Sequence, residues 1–248
     1  MADNANTRAV VTDLLTQARQ RLEEGHADAA QRLWGAVESL ATAEALPDLR
    51  LQALHQLAAF DIRQQQLDAA RRRLDEAFGL ARALGADAPL AAVGARLGQV
   101  LVFVGEPHNG VVVMREAQAA WRRLDQEAPV RELDLAIQAV CSKVDEAVSA
   151  ATSPAALVHA LFGRARVRLA IEDAGGARSD LQQAWDLCGR LERADFTAVV
   201  GTLLGQLLTA AADPSADAVL ARAQAAWSAQ GDPEEAARVA ALRGPPQG

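Results

Sequence analysis

At 248 residues the chain is long enough to bury a sizeable core, and with half its residues hydrophobic and 23% charged it lies outside the disordered class. A formal net charge of −7 argues against a dedicated nucleic-acid binder, which usually carries a basic surplus. Cys141 and Cys188 are far apart and in no CxxC pair, so neither a disulfide framework nor a zinc site is suggested.

The apolar half is mostly Ala and Leu, with five Phe, four Trp and no Tyr, a choice that favours helix over strand. The opening MADNANTRAV lacks the charged region and apolar run of a signal peptide, so a cytoplasmic protein is expected. In chain order the pattern predicts twelve helices, at about 8–24, 27–44, 48–64, 67–85, 89–104 and 108–126, then 130–152, 155–171, 174–191, 194–212, 215–230 and 233–243. Ser153-Pro154 and Asp232-Pro233-Glu234-Glu235 are helix-start signals. The uncharged stretch 196–212 matches the lower length limit of a membrane span, but Thr197, Thr202, Gln206 and Thr209 interrupt it and favour a helix buried in a stack. Residues 244–248 read as a disordered tail.

Internal repetition is plain. LGQVLVFVGEP from Leu97 is nearly repeated as LGQLLTAAADP from Leu204, and AQAAW at 117–121 returns at 223–227, offsets of 107 and 106 residues. Turns near Gly25, Gln65 and Gly105 mark a 40-residue period, echoed by Pro47, Pro89 and Pro129. The helix at 130–152 breaks that phase, which divides the chain into 1–129, an odd helix at 130–153 and a second block at 154–243.

Leu97, Gly98 and Leu101, a turn at Gly105, then Gly110, Met114 and Ala117 resemble the signature of the tetratricopeptide repeat (TPR) family, in a long-period variety of about 40 residues. Weaker copies carry Ala58, Ala70, Leu74 and Ala77, and later Ala177, Leu181 and Ala184. The resemblance implies an all-α, right-handed superhelical solenoid of helix pairs, and a protein-interaction role for it. Gly94/Gly98 and Gly201/Gly205 would let helices approach closely, and Trp34, Trp121, Trp185 and Trp227, all in second helices, would lock neighbouring layers.

No phosphate-binding loop, HExxH or GxSxG occurs, and the four histidines show no metal-ligand spacing, so no enzyme, cofactor or metal is expected. Cys141, among Val140, Val144 and Ala147, reads as a small buried hydrophobe. The run Arg71-Arg72-Arg73 reads as a solvated face neutralised by Asp68, Asp75 and Glu76. In the family the first helices line the concave groove, and the resemblance would place Arg19, His55, Arg63, Gln99, Phe103, His159, Phe162, Arg166 and Gln206 there. Arg63 and Arg166 suit carboxylates of an acidic partner, and Phe103 and Phe162 suit apolar anchors. The expectation is thus an adaptor or scaffold for a protein or peptide, with a lean to acidic partners and no nucleic acid or membrane. The alternative is a self-assembling structural or regulatory subunit, a homo-oligomer joined through convex faces or repeat ends.

Overall fold

The computed structural model of the chain describes residues 2–191 and 193–243, with side chains described from residue 6 onward. The tail expected at 244–248 lies outside the described residues. Every regular element described is an α-helix, twelve in all: α1 (Ala2–Glu23), α2 (Ala27–Ala43), α3 (Pro47–Arg63), α4 (Leu67–Ala83), α5 (Asp87–Phe103), α6 (Pro107–Arg123), α7 (Glu127–Ser149), α8 (Pro154–Ala170), α9 (Ala174–Leu191), α10 (Ala194–Ala210), α11 (Ala216–Ala229) and α12 (Pro233–Leu242). The all-α array of twelve helices expected from the sequence is therefore the one observed. Two compact units, Met1–Ile137 and Gln138–Gly248, divide within α7.

Helix starts follow local chemistry. Pro47, Pro107, Pro154 and Pro233 each open a helix, where a missing N–H costs nothing. Ser153 Oγ accepts from the Ala156 N–H at 3.2 Å, and Asp232 Oδ1 from the Glu235 N–H at 3.0 Å. Two expected starts were late: α5 begins at Asp87 and α7 at Glu127, because Pro89 and Pro129 fit inside a first helical turn as well as at its edge.

Helices α2 to α6 are each 17 residues long, joined by three-residue corners, so the underlying step is 20 residues. Each corner places one residue at positive φ: Gly25, Ala45, Gln65, Gly85, Gly105 and Asp125. In each, the next N–H reaches back to a helix carbonyl five residues earlier, as His26 to Arg21 at 2.8 Å and Leu46 to Ala41 at 2.8 Å. The 23-residue α7 interrupts the series; the next such corner is at Glu172.

Second helices bury one stripe, for example Ala30, Trp34, Val37 and Ala41 in α2 and Ala177, Leu181, Ala184 and Cys188 in α9. First helices are covered on more sides, as α3 shows with Leu49, Leu51, Ala53, Leu54, Leu57, Ala58 and Phe60. The glycine pairs sit at the closest approaches. A methyl on Gly98 would lie 2.9 Å from the Gly110 carbonyl oxygen, and one on Gly94 would lie 2.8 Å from the Phe78 ring. In the second unit, Gly201 meets the Trp185 ring at 2.5 Å in the same sense, and Gly205 meets Leu220. Trp34 is fully buried, and Trp227 donates from Nε1 to Thr202 Oγ1 at 3.0 Å.

Buried charges tie hairpins together. Asp61 of α3 is 2% exposed and holds Arg73 of α4. Asp180 of α9 is 1% exposed and accepts from Arg164 Nε at 2.9 Å and Arg168 Nη1 at 2.9 Å, both on α8. The Arg71–Arg73 run thus departs from its sequence reading: Arg73 turns to Asp61, Arg71 pairs chiefly with Glu106, and Glu76 takes Arg50. Only Asp75 stays near Arg71, at 3.6 Å. Those partners lie on neighbouring helices, which spacing along one helix does not reveal.

Candidate binding face

In the first unit, the face is built by α1, α3 and α5. Arg19 of α1 is exposed and donates from Nη2 to Gln52 Oε1 of α3 at 2.8 Å, which joins those two helices at the surface. One turn after Gln52 comes His55, half-buried, whose Nε2 is covered and has no hydrogen-bond partner. Burial, and next the charge of Arg96 on α5, hold the His55 imidazole down to about 4, so it is neutral at pH 7.

Arg96 lies on α5 between Gly94 and Gly98. It is half-buried, and burial, then the neighbouring Arg63 charge, lower its own pKa. Among the described residues neither Arg63 nor Arg96 makes an ion pair; Arg63 lies instead over the Phe60 ring, its guanidinium carbon 4.4 Å from the ring centroid. On α5, Gln99 and Phe103 follow Arg96 by three and seven residues, one stripe of a helix, and both are exposed. Phe103 is 80% exposed, the most exposed of the large hydrophobic residues.

In the second unit His159 and Gln206 are exposed on α8 and α10. Phe162 is half-buried against its own core, and Arg166 lies over its ring at 5.9 Å from the centroid. That packing leaves Phe162 less free than Phe103 to receive a partner. The nine residues expected to form one surface thus fall as Arg19, His55, Arg63, Gln99 and Phe103 in one unit and His159, Phe162, Arg166 and Gln206 in the other. Arg96 could have been found from register, since it stands 40 residues after Gln56 in the same helical frame that aligns Arg63 with Phe103.

The thiols offer little chemistry. Burial pushes Cys188 up to about 11, and burial followed by Asp145 raises Cys141 above the ordinary thiol range. Among the described residues no group of three or more His, Cys, Asp or Glu side chains is placed to hold a metal ion, and no helix is long and apolar enough to cross a membrane.

No family model matches the chain, and no curated protein matches it. Solved structures resemble it at low identity. A crystal structure of BtubC (BKLC) from P. vanneervenii is 17% identical over 98% of this chain and 83% of that one, with a TM-score of 0.43. The TPR2AB-domain:pHSP90 complex of yeast Sti1 is 14% identical over 95% and 97%, with a TM-score of 0.41. A Podosopora anserina putative kinesin light chain with nearly identical TPR-like repeats is 15% identical over 96% and 93%, with a TM-score of 0.40.

Proposed function

We propose that the chain is a cytoplasmic adaptor or scaffold, without catalytic activity of its own, that binds an acidic segment of a partner protein. The contacting surface is the α1, α3 and α5 face of the first unit. The observation that carries this reading is Phe103, 80% exposed on the α5 stripe that also carries Arg96, with neither Arg63 nor Arg96 in an ion pair among the described residues. Several surface arginines here have an acidic partner, such as Arg123 with Asp87 at 2.6 Å and Arg178 with Asp213 at 2.6 Å. Arginine and a large aromatic are also the residue types that most often dominate binding energy at protein interfaces. His159, Phe162, Arg166 and Gln206 offer a recognition surface of their own in the second block, 154–243, in the same proposal.

The test is affinity capture from native cell extract with the full chain, compared with Phe103→Ser and Arg63→Glu variants of unchanged helicity. The reading expects partners lost from both variants; identical capture by all three forms would defeat it. A second reading is self-association through outer faces, favoured by Leu135 on α7, which is 66% exposed. Light scattering that shows a dimer abolished by Leu135→Glu would favour it.

A further inference from the structure

Asn109 and Gly110 are the chain's only Asn-Gly pair, and Asn4 and Asn6 are its only other asparagines. The pair falls in the first turn of α6, with Asn109 exposed and Gly110 buried. Packing selects that glycine. The same place in α2, α4 and α11 holds Ala30, Ala70 and Ala216. A methyl on Gly110, however, would lie 2.7 Å from the Gly98 carbonyl oxygen and 2.7 Å from the Val102 side chain, both on α5. The close approach of α5 and α6 therefore sets a glycine directly after an exposed asparagine. With no side chain to shield its nitrogen and a backbone free to turn, glycine is the follower that most exposes an asparagine side chain to attack by the main chain.

In the folded chain that attack is blocked. The Gly110 N–H donates to the Glu106 carbonyl oxygen at 3.0 Å, and Asn109 Nδ2 donates to Glu106 Oε2 at 2.7 Å. The same carboxylate holds Arg71 of α4, which steadies it. We infer that Asn109 is a self-modification site, shut while the first turn of α6 is closed and reached when that turn frays, and that its isoaspartyl product cannot rebuild the α5–α6 contact. In the opened turn the Gly110 nitrogen gives its proton to water and bonds to Asn109 Cγ. Nδ2 leaves as ammonia, and a succinimide ring remains. Water then opens the ring at either carbonyl, with no oxidant or reductant consumed. Opening at Cγ gives an ordinary aspartyl residue, whose main chain is unchanged and whose carboxylate suits a helix start. Opening at the backbone carbonyl gives an isoaspartyl residue, with an extra methylene in the main chain directly before Gly110. At that place even a methyl has no room. In the second unit the positions 106 residues on are Ser215 and Ala216, so the reactive pair belongs to the first unit alone.

The experiment incubates the full chain at neutral pH beside a capped peptide of residues 105–113. Product at position 109 is followed by peptide mapping and by a methyltransferase specific for isoaspartate. The folded chain should convert at least about tenfold more slowly than the peptide, because the turn must first open. Glu106→Ala, which frees the Asn109 amide, should raise the rate severalfold. Should that variant lose its helicity, urea below the unfolding midpoint takes its place and should raise the rate likewise. Chains converted in full denaturant are then refolded and their two forms separated. The aspartyl form, and Asn109→Asp made directly, should melt with the unaltered chain, and the isoaspartyl form should melt lower. Equal rates in chain and peptide would overturn the inference. So would a rate indifferent to both Glu106→Ala and urea, or an isoaspartyl form that melts with the unaltered chain.

Discussion

The hairpins α3–α4 and α8–α9 begin at Pro47 and Pro154, 107 residues apart, and each is tied by a buried ion pair at corresponding positions. In the first, α3 supplies the acid, Asp61, and α4 the base, Arg73. In the second the ends are exchanged, with Arg168 on α8 and Asp180 on α9, and Arg164 added as a second cation. Outer pairs recur without exchange: Arg71 with Glu106 becomes Arg178 with Asp213 at the same spacing. The scaffold thus constrains where a buried charge pair sits and leaves its polarity open. The exposed face is constrained still less, since His55, Arg63 and Arg96 give way to Phe162, Ala170 and Leu203. Packing keeps the interior of the repeat, and the positions of His55, Arg63 and Arg96 are freer to change.

That contrast can be broken in several ways. Asp180→Ala should cost about 3–5 kcal/mol in urea unfolding, because it strands two partly buried guanidiniums. Asp61→Ala should cost about 1–3 kcal/mol, since Arg73 is 34% exposed and can turn to water. The exchange Asp61→Arg with Arg73→Asp copies the second unit's polarity and should recover much of the loss; a double variant worse than either single one would mean polarity is fixed locally after all. Gly98→Ala should cost about 2–3 kcal/mol, because its methyl meets the Gly110 backbone oxygen. The matching Gly205→Ala should cost about 1 kcal/mol, because its nearest neighbour is the movable Leu220 side chain and not backbone. Smaller again, Ala45→Gly and Ala212→Gly should each stabilise by roughly 0.5–1 kcal/mol, read as a higher thermal midpoint, by relieving positive φ.

The smallest effect is acid sensitivity. His55 binds its proton less readily when folded than when unfolded, so the stability it contributes is whole above about pH 6.5 and is lost as pH falls towards 4. His55→Phe, which imports the residue of the second unit, should flatten the melting profile over that window. Asp213, held down to about 2 by the Ser215 hydroxyl and backbone and then by Arg178, gives a lower window, between about pH 4 and 2. A profile unchanged by His55→Phe would show that the imidazole is not held neutral by its surroundings.

Much of this was legible in advance. Helix pairs, their Pro, Ser and Asp starts, the 40-residue period and the close-packing glycines all follow from local rules, because caps and small residues act within one or two turns. The positive φ of Ala45, Gln65 and Asp125 was hidden, since no glycine announces it. The partner of Arg73 and the burial of Arg96 were hidden too. Each depends on how one helix is rotated against the next, and periodicity along a single helix holds no record of that. The exposure of Phe103 fits its place at the end of a first helix, in register with Arg63.

The most direct test of the division between the units is to give the first unit the second unit's face. A triple variant, His55→Phe with Arg63→Ala and Arg96→Leu, is compared with the unaltered chain for capped hexaglutamate binding by isothermal titration, at equal helicity. We expect the unaltered chain to bind and the triple variant to lose about a hundredfold or more in affinity. Equal affinities in the two proteins would contradict the account.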